Sequence, residues 1–411
     1  ADLNANLLPG YDFISDTFVS RDGNGRDANP NDEGDWNPVA GECYSGSPVT
    51  NSSWHGTHVA GTVAAVTNNA SGVAGTAFGA KVVPVRVLGR CGGYTSDIAD
   101  AITWASGGTV SGVPANANPA EVINLSLGGG GTCSSTYQTA INGAVGRGTT
   151  VVVAAGNSNT NVSSSVPANC PNVIAVAATT SAGSRASFSN YGTGIDISAP
   201  GQSILSTLNT GTTTPGSASY ASYNGTSMAA PHVAGVVALM QAAATSPLTP
   251  AAVESTLKST ARPLPGSCSG GCGAGIANAD GAVTAVQGGG PDPDPGTQTY
   301  TNGTDVSIPD NNSTGVSSTI AVSGRSGNAP SNAQVAVNIV HTYIGDLIVD
   351  LIAPDGSVYV LHNRSGGSAD NINQTYTVNL SSEPLNGTWK LRVNDNAGGD
   401  VGRIDSWSIT F

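Results

Sequence analysis

Hydrophobic positions along the chain change their rhythm near residue 287. Before it, short unbroken apolar runs alternate with Ala-rich stretches whose apolar residues recur every three or four positions. The runs at 81–88 (KVVPVRVL), 121–127 (EVINLSL), 149–155 (TTVVVAA) and 172–178 (NVIAVAA) predict strands buried on both faces, because a strand with one wet face would alternate. Between them, 96–105 (SDIADAITWA) and 134–145 (SSTYQTAINGAV) predict helices. Such alternation predicts an α/β domain, a parallel sheet with helices on both faces. Residues 288–296 (GGGPDPDPG) hold neither period and predict a semi-rigid linker. Beyond it, 334–339 (QVAVNI), 346–352 (DLIVDLI), 357–361 (SVYVL) and 406–411 (SWSITF) alternate between Gly, Asn, Asp and Pro turns, predicting an antiparallel sandwich. Two domains of different class, 1–287 and 297–411, are expected.

Composition narrows the setting. A chain of 411 residues exceeds the ~250–300 at which single cores stop growing. Charged residues are only 10% of it, against about 25% in ordinary globular proteins. Neutral polar groups and 55 glycines fill their place, as in secreted hydrolases, while 38% hydrophobic residues still supply cores. A net charge of −13 excludes a phosphate backbone as partner and suits bound calcium. No apolar run nears the ~18 residues of a transmembrane helix, so no membrane partner is expected. The chain begins Ala1-Asp2-Leu3 without a signal peptide, as if processed or cut. Cys43, Cys91, Cys133, Cys170, Cys268 and Cys272 form an even set that admits about fifteen pairings or six buried thiols; a disulfide set implies an oxidising compartment.

Candidate chemistry sits in three stretches. Residues 224–235 (NGTSMAAPHVAG) bring Ser227 to the start of an Ala-rich helix, with Pro231 expected in its first turn. Alone, that junction reads as an N-cap; with a base nearby it reads as a nucleophile, because a serine hydroxyl is weak until its proton is taken. Residues 55–62 (HGTHVAGT) open a second small-residue helix. His55 and His58 lie three apart, but no HExxH glutamate accompanies them to favour zinc, and His58 and His232 read as packed structural residues. Residues 153–157 (VAAGN) end an apolar strand at Asn157, whose amide can form a turn or donate to an oxyanion.

Together, HGTHVAGT, NLSLGG (124–129), AAGN (154–157) and GTSMAAPHVAG (225–235) resemble the subtilisin family of serine proteases over roughly residues 2–285. The resemblance implies a subtilisin-like parallel sheet flanked by helices. It makes Ser227 the nucleophile, His55 the general base and then acid, and Asn157 with the Ser227 N–H the oxyanion hole. Ser126-Leu127-Gly128 and Ala154-Ala155-Gly156 match the strands that pair with an extended substrate and wall its first pocket. The family's triad runs Asp, His, Ser, and its aspartate falls just upstream of Ala1; Asp2, Asp12 and Asp16 do not stand in its motif.

Asp2 and the 67–73 loop resemble the family's strong calcium site, with carbonyls at Thr67, Ser71 and Val73 and a side-chain oxygen at Asn69. Asp22, Asn24, Asp27, Asp32 and Asp35 make a second candidate cation cluster, although Arg26 lies within it, and Asp196 matches a weaker family cation position. Along that fold's order, Cys43–Cys91, Cys133–Cys170 and Cys268–Cys272 are the favoured pairs.

Residues 297–411 resemble the P domain of proprotein convertases and secreted bacterial subtilisin-type proteases, through 341–347 (HTYIGDL), 386–391 (NGTWKL) and 405–409 (DSWSI). A jelly-roll-like sandwich is implied, with Trp389 and Trp407 as core. The favoured function is a secreted, extracellular, monomeric endopeptidase that takes protein or peptide substrates and meets its own propeptide in maturation. An inactive pseudoprotease or fragment binding through the P domain, and an esterase or ligase using the same Ser–His pair, are the alternatives.

Overall fold

In the structure, a computed structural model, residues 2–287, 298–322 and 328–411 are described; the linker expected at 288–296 lies outside them. The chain divides into two compact units, Ala1–Gln287 and Gly288–Phe411.

In the first unit, β1 (Val122–Leu125), β2 (Thr150–Ala154), β3 (Ile174–Thr179) and β4 (Ile197–Pro200) form a parallel sheet in sequence order. The unbroken apolar runs follow from burial on both faces. Val151 and Val153 pack into one core with Ile102, Trp104 and Ile141, from α2 (Thr95–Ala105) and α3 (Ser135–Gly146). Val152 and Ala154 pack into the other with Ala229, Val233 and Met240 of α4 (Thr226–Ala243). Val151, Val152 and Val153 are at most 1% exposed, so period-2 alternation is present in direction but erased in polarity.

The expected strand at 81–88 is much shorter. Val85–Arg86 pairs, in parallel, with Tyr11–Asp12, and Val82 makes a single parallel bridge to Leu7. Pro84, in mid-run, has no N–H to give a ladder, and its carbonyl accepts instead from Tyr11 N at 3.1 Å. Val83, Val85 and Val87 still pack against the first core, which explains the apolar pattern without a long strand.

The second unit is antiparallel throughout its described residues. One sheet joins β7 (Thr299–Asn302), β8 (Val306–Ile308), β10 (Ala333–His341), β13 (Ile372–Val378) and β15 (Gly402–Thr410); the other joins β9 (Asn312–Val322), β11 (Leu347–Ile352), β12 (Val358–Asn363) and β14 (Gly387–Asp395). In the first unit, β5 (Ile204–Asn209) and β6 (Ala218–Tyr223) form a separate antiparallel pair. Trp389 and Trp407 are buried and donate to Leu385 O and Ser318 Oγ, both at 3.0 Å, which places them in the core as the sequence suggested.

All six cysteines pair, as Cys43–Cys91, Cys133–Cys170 and Cys268–Cys272.

Candidate active site

Ser227 is the second residue of α4, a helix whose N-cap, Gly225, offers no side-chain acceptor. The first amides of a helix lack intrahelical partners. Thr226 N–H donates to Asn157 Oδ1 at 2.8 Å and Met228 N–H to Gly225 O at 3.0 Å, while Ser227 N–H finds no acceptor among the described residues. The Thr226 hydroxyl also donates to Asn157 Oδ1 at 2.9 Å and accepts from Gly156 N at 3.0 Å. With Oδ1 so engaged, Asn157 Nδ2 is turned to the other side. The point where a side chain on Gly225 would begin lies 3.5 Å from both Asn157 Nδ2 and Ser227 N. Two donors thus flank one small space beside the serine, the arrangement that stabilises a developing oxyanion.

Pro231 stands in the second turn of α4, not the first, because the helix already begins at Thr226. Its missing N–H would have bonded Ser227 O four residues back. That freed carbonyl accepts instead from Ser126 Oγ at 2.7 Å, and Asn124 Nδ2 supports Ser126 Oγ at 2.9 Å. The Ser227 hydroxyl in turn donates to Ser126 O at 3.3 Å. Ser126 and Ser227 are therefore joined twice across a hundred residues of sequence.

His55 opens α1 (His55–Ala64), which Trp54 enters in a left-handed conformation at φ 49°. Asp35 fixes the approach by accepting from Ser53 N and Ser53 Oγ, both at 2.6 Å. Burial, and to a smaller extent the neighbouring His58, holds the His55 pKa below its usual value against the pull of Asp35, so the ring is a neutral base at neutral pH. Among the described residues no carboxylate hydrogen-bonds this ring: Asp12 pairs with Arg86 at 2.5 Å and Asp16 caps the short helix Thr17–Ser20. His58 is structural. Its Nε2 faces Ile204 O and Ala221 O at 3.0 Å each, and its ring stacks on Tyr223 at 4.6 Å.

Of the substrate segments, Ser126-Leu127-Gly128 leaves β1 with Gly128 exposed, and the next two glycines pair with Ser165–Val166. Ala154-Ala155-Gly156 differs. Ala155 N donates to Val176 O, Ala155 O accepts from Asn190, and both Gly156 N and Gly156 O are bonded internally. This backbone can wall a pocket but has little left to pair with a peptide.

Asp2 does meet the 67–73 loop. Its buried carboxylate accepts from Asn69 Nδ2 at 2.5 Å, Val73 N at 3.0 Å and Tyr220 Oη at 3.2 Å. Burial works against the charge, but these hydrogen bonds outweigh it and keep the Asp2 pKa low. A groove of 440 Å³ is lined by residues 66–74, including Thr67, Asn69, Ser71 and Val73. The ionised Asp2 carboxylate is a hard-oxygen donor of the kind Ca²⁺ takes, while Asn69 Oδ1 accepts from Ser71 N at 3.0 Å.

The second acidic cluster does not assemble as one site. Asp22, Asn24 and Asp27 are neighbours, with Asn24 donating to Asp27 at 2.7 Å, yet Asp22 also meets Arg86 at 3.3 Å. Asp32 accepts from Gly34 N, and Asp35 serves Ser53. Arg26, inside the segment, pairs with Asp97 at 2.6 Å and Asp100 at 2.7 Å. Among the described residues no three His, Cys, Asp or Glu side chains form a group able to hold a metal. At Asp196 the cation is the chain's own: Lys258 Nζ lies 2.6 Å from its carboxylate.

The family described as "Subtilase family" matches residues 1–292, and "Proprotein convertase P-domain" matches residues 330–411. An "Extracellular protease" of Xanthomonas campestris pv. campestris is 76% identical over 307 residues, 74% of this chain. The match spans only 53% of that relative's own length. An "Extracellular basic protease" of Dichelobacter nodosus is 46% identical over 100% of this chain and 70% of its own. Among solved structures, a protease of Pseudoalteromonas arctica PAMC 21717 superposes with a TM-score of 0.68 at 58% identity, covering 70% of this chain and 86% of that one.

Proposed function

The chain belongs to the subtilase family, and from that premise we propose that the protein is a secreted serine endopeptidase that cleaves extracellular proteins through an acyl-enzyme on Ser227. The observation that supports this reading is the pair of donors, Asn157 Nδ2 and Ser227 N, around one space beside Gly225 at the start of α4. In the reaction, Ser227 Oγ leaves the Ser126 carbonyl, gives its proton to neutral His55 and bonds the scissile carbonyl carbon. The carbonyl electron pair moves onto oxygen, where the two donors receive it. His55 then returns the proton to the departing amine, and water releases the acyl group by the reverse sequence. Ser126-Leu127-Gly128 pairs with the extended substrate, while Ala154-Ala155-Gly156 walls its first pocket.

Calcium belongs at Asp2 and the Thr67–Val73 loop in this reading, where it would bind oxygen ligands and tie the loop down. Asp2, Asn69 and the carbonyls of Thr67, Ser71 and Val73 would hold it. The family also implies a monomer whose propeptide occupies the cleft during maturation. A serine-directed phosphonylating reagent is expected to label Ser227 and to abolish casein digestion, and Ser227→Ala is expected to abolish it too. Normal digestion by Ser227→Ala overturns the assignment.

A further inference from the structure

Asn190 lies outside the residues that touch a reacting atom, yet its side chain is 0% exposed and fully bonded into the active-site wall. Its Oδ1 accepts from Ser158 N at 3.1 Å, Thr160 N at 3.0 Å and Thr160 Oγ1 at 3.3 Å. Its Nδ2 donates to Ala155 O at 2.9 Å and Ser165 Oγ at 2.7 Å. The Asn190 backbone N–H donates to Gly156 O at 2.9 Å. Residues on both sides of Asn157 are thus fastened to one buried residue, while Asn157, held through its Oδ1 by Thr226, keeps only its Nδ2 for the reaction. Fit is close: a side chain on Gly156 would begin 2.4 Å from Asn190 Nδ2, and Gly156 has φ +101°, so only glycine serves there. The hub is anchored in turn, since Ser189 Oγ donates to Asn190 O and accepts from Ala178 N of β3, both at 2.9 Å.

We propose that Asn190 is a positioning residue for the oxyanion hole, holding the 155–160 loop at the distance where the Asn157 amide meets transition-state charge. The proposal rests on the serine-protease reading above. Its amide also ties that loop to Ser165, which pairs across to Gly130, so the pocket wall and the oxyanion donor move as one piece. Donors of this kind work only when fixed in advance, and a misplacement of about 1 Å costs on the order of 10²-fold. A buried amide has the right chemistry for the task, because it accepts from N–H groups on one side and donates to a carbonyl on the other without bringing charge near the anion.

Asn190→Asp tests this in the active protein. It keeps the shape and the acceptor toward Ser158 and Thr160, but sets a second acceptor against Ala155 O. The expected result is a kcat loss of about 10–10²-fold with KM changed less than about threefold. Asn157→Ala alone should lose about 10²–10³-fold in kcat. The double variant should lose no more than Asn157→Ala, since misplacing an absent amide costs nothing; a merely structural role would give losses that multiply. Should Asn190→Asp not fold, Ser165→Ala removes one partner and should show a smaller loss with the same non-additivity. Unchanged kcat in these variants, or multiplying losses, overturns the proposal while leaving the oxyanion hole in place. Unchanged kcat in Asn157→Ala removes the oxyanion reading itself, and the proposal with it.

Discussion

Ser227, His55 and Asn157 were legible because each stands in a local run of small residues, where close backbone approach and a helix or strand end coincide. Their supports were not. Thr226, Ser126 and Asn190 act across separations of 69, 101 and 35 residues, and a polar residue carries no periodicity that names its partner. The exchange between Pro231 and Ser126 shows how a local rule hides a distant consequence. Proline removes one helix donor, and a serine just past the end of β1 replaces it. Ser126→Ala should therefore destabilise a Ser227→Ala protein by about 1 kcal/mol, the usual worth of a lost hydrogen bond. Restoring a helical N–H with Pro231→Ala should shrink that loss, because the Ser227 carbonyl regains an intrahelical partner. Equal losses in both backgrounds, measured by denaturant unfolding, would show that the two residues do not share the carbonyl.

Among the elements, β2 and β3 were readable from unbroken apolar runs, since both faces of the sheet are covered. The run at 81–88 misled because packing and pairing came apart at Pro84. Helix α1 carries a pH dependence that no pattern announces. Burial holds His58 below its usual pKa despite its contacts to Ile204 O and Ala221 O, and His55 and His232 are lowered for the same reason. A lowered folded-state pKa means that the unfolded chain binds the proton more readily. The associated stability is present above the ordinary histidine value of about 6.5 and is lost as pH falls through the lower folded value. Asp12 acts oppositely: burial raises its pKa to about 6, so its contribution is present below 3.8 and is lost as pH rises through 6. The histidine part of the dependence should lower the melting temperature as pH drops below about 6.5, with Asp12 and Asp32, both raised by burial, working against it at lower pH. His58→Gln keeps a donor toward the two carbonyls and removes the titration, so its melting should fall less over the same range. Parallel pH profiles for the two proteins would clear His58 of any part in acid sensitivity.

At the scale of the whole molecule, the change of rhythm near residue 287 coincides with the division into two units, because the period of the apolar pattern reflects which layers cover it. Charge was the poorest guide. Asp22 and Asp27 looked like members of one ligand loop, but Asp22 meets Arg86, and Arg26 between them pairs with Asp97 and Asp100, all more than sixty residues away. Asp2 joins the 67–73 loop over a comparable separation and leaves a different chemistry, a buried carboxylate held among N–H and O–H donors. Tyr220, on β6, also reaches Asp2, and that strand runs on to Gly225 and Ser227. A cation bound there would hold the start of the chain, the loop after α1 and the strand before the nucleophile together. Binding to the folded state alone adds RT ln(1 + [L]/Kd), about 2.7 kcal/mol at a hundredfold excess over Kd. Chelation should then lower the melting temperature of a Ser227→Ala protein, in which self-digestion cannot intervene, and Asp2→Ala should abolish the response to added calcium. In the active protein, hydrolysis should continue at first after chelation and decay as the loosened chain is cut. A melting temperature indifferent to chelation would remove calcium from the stability of this unit. If turnover alone then followed calcium, the ion would belong to the reaction.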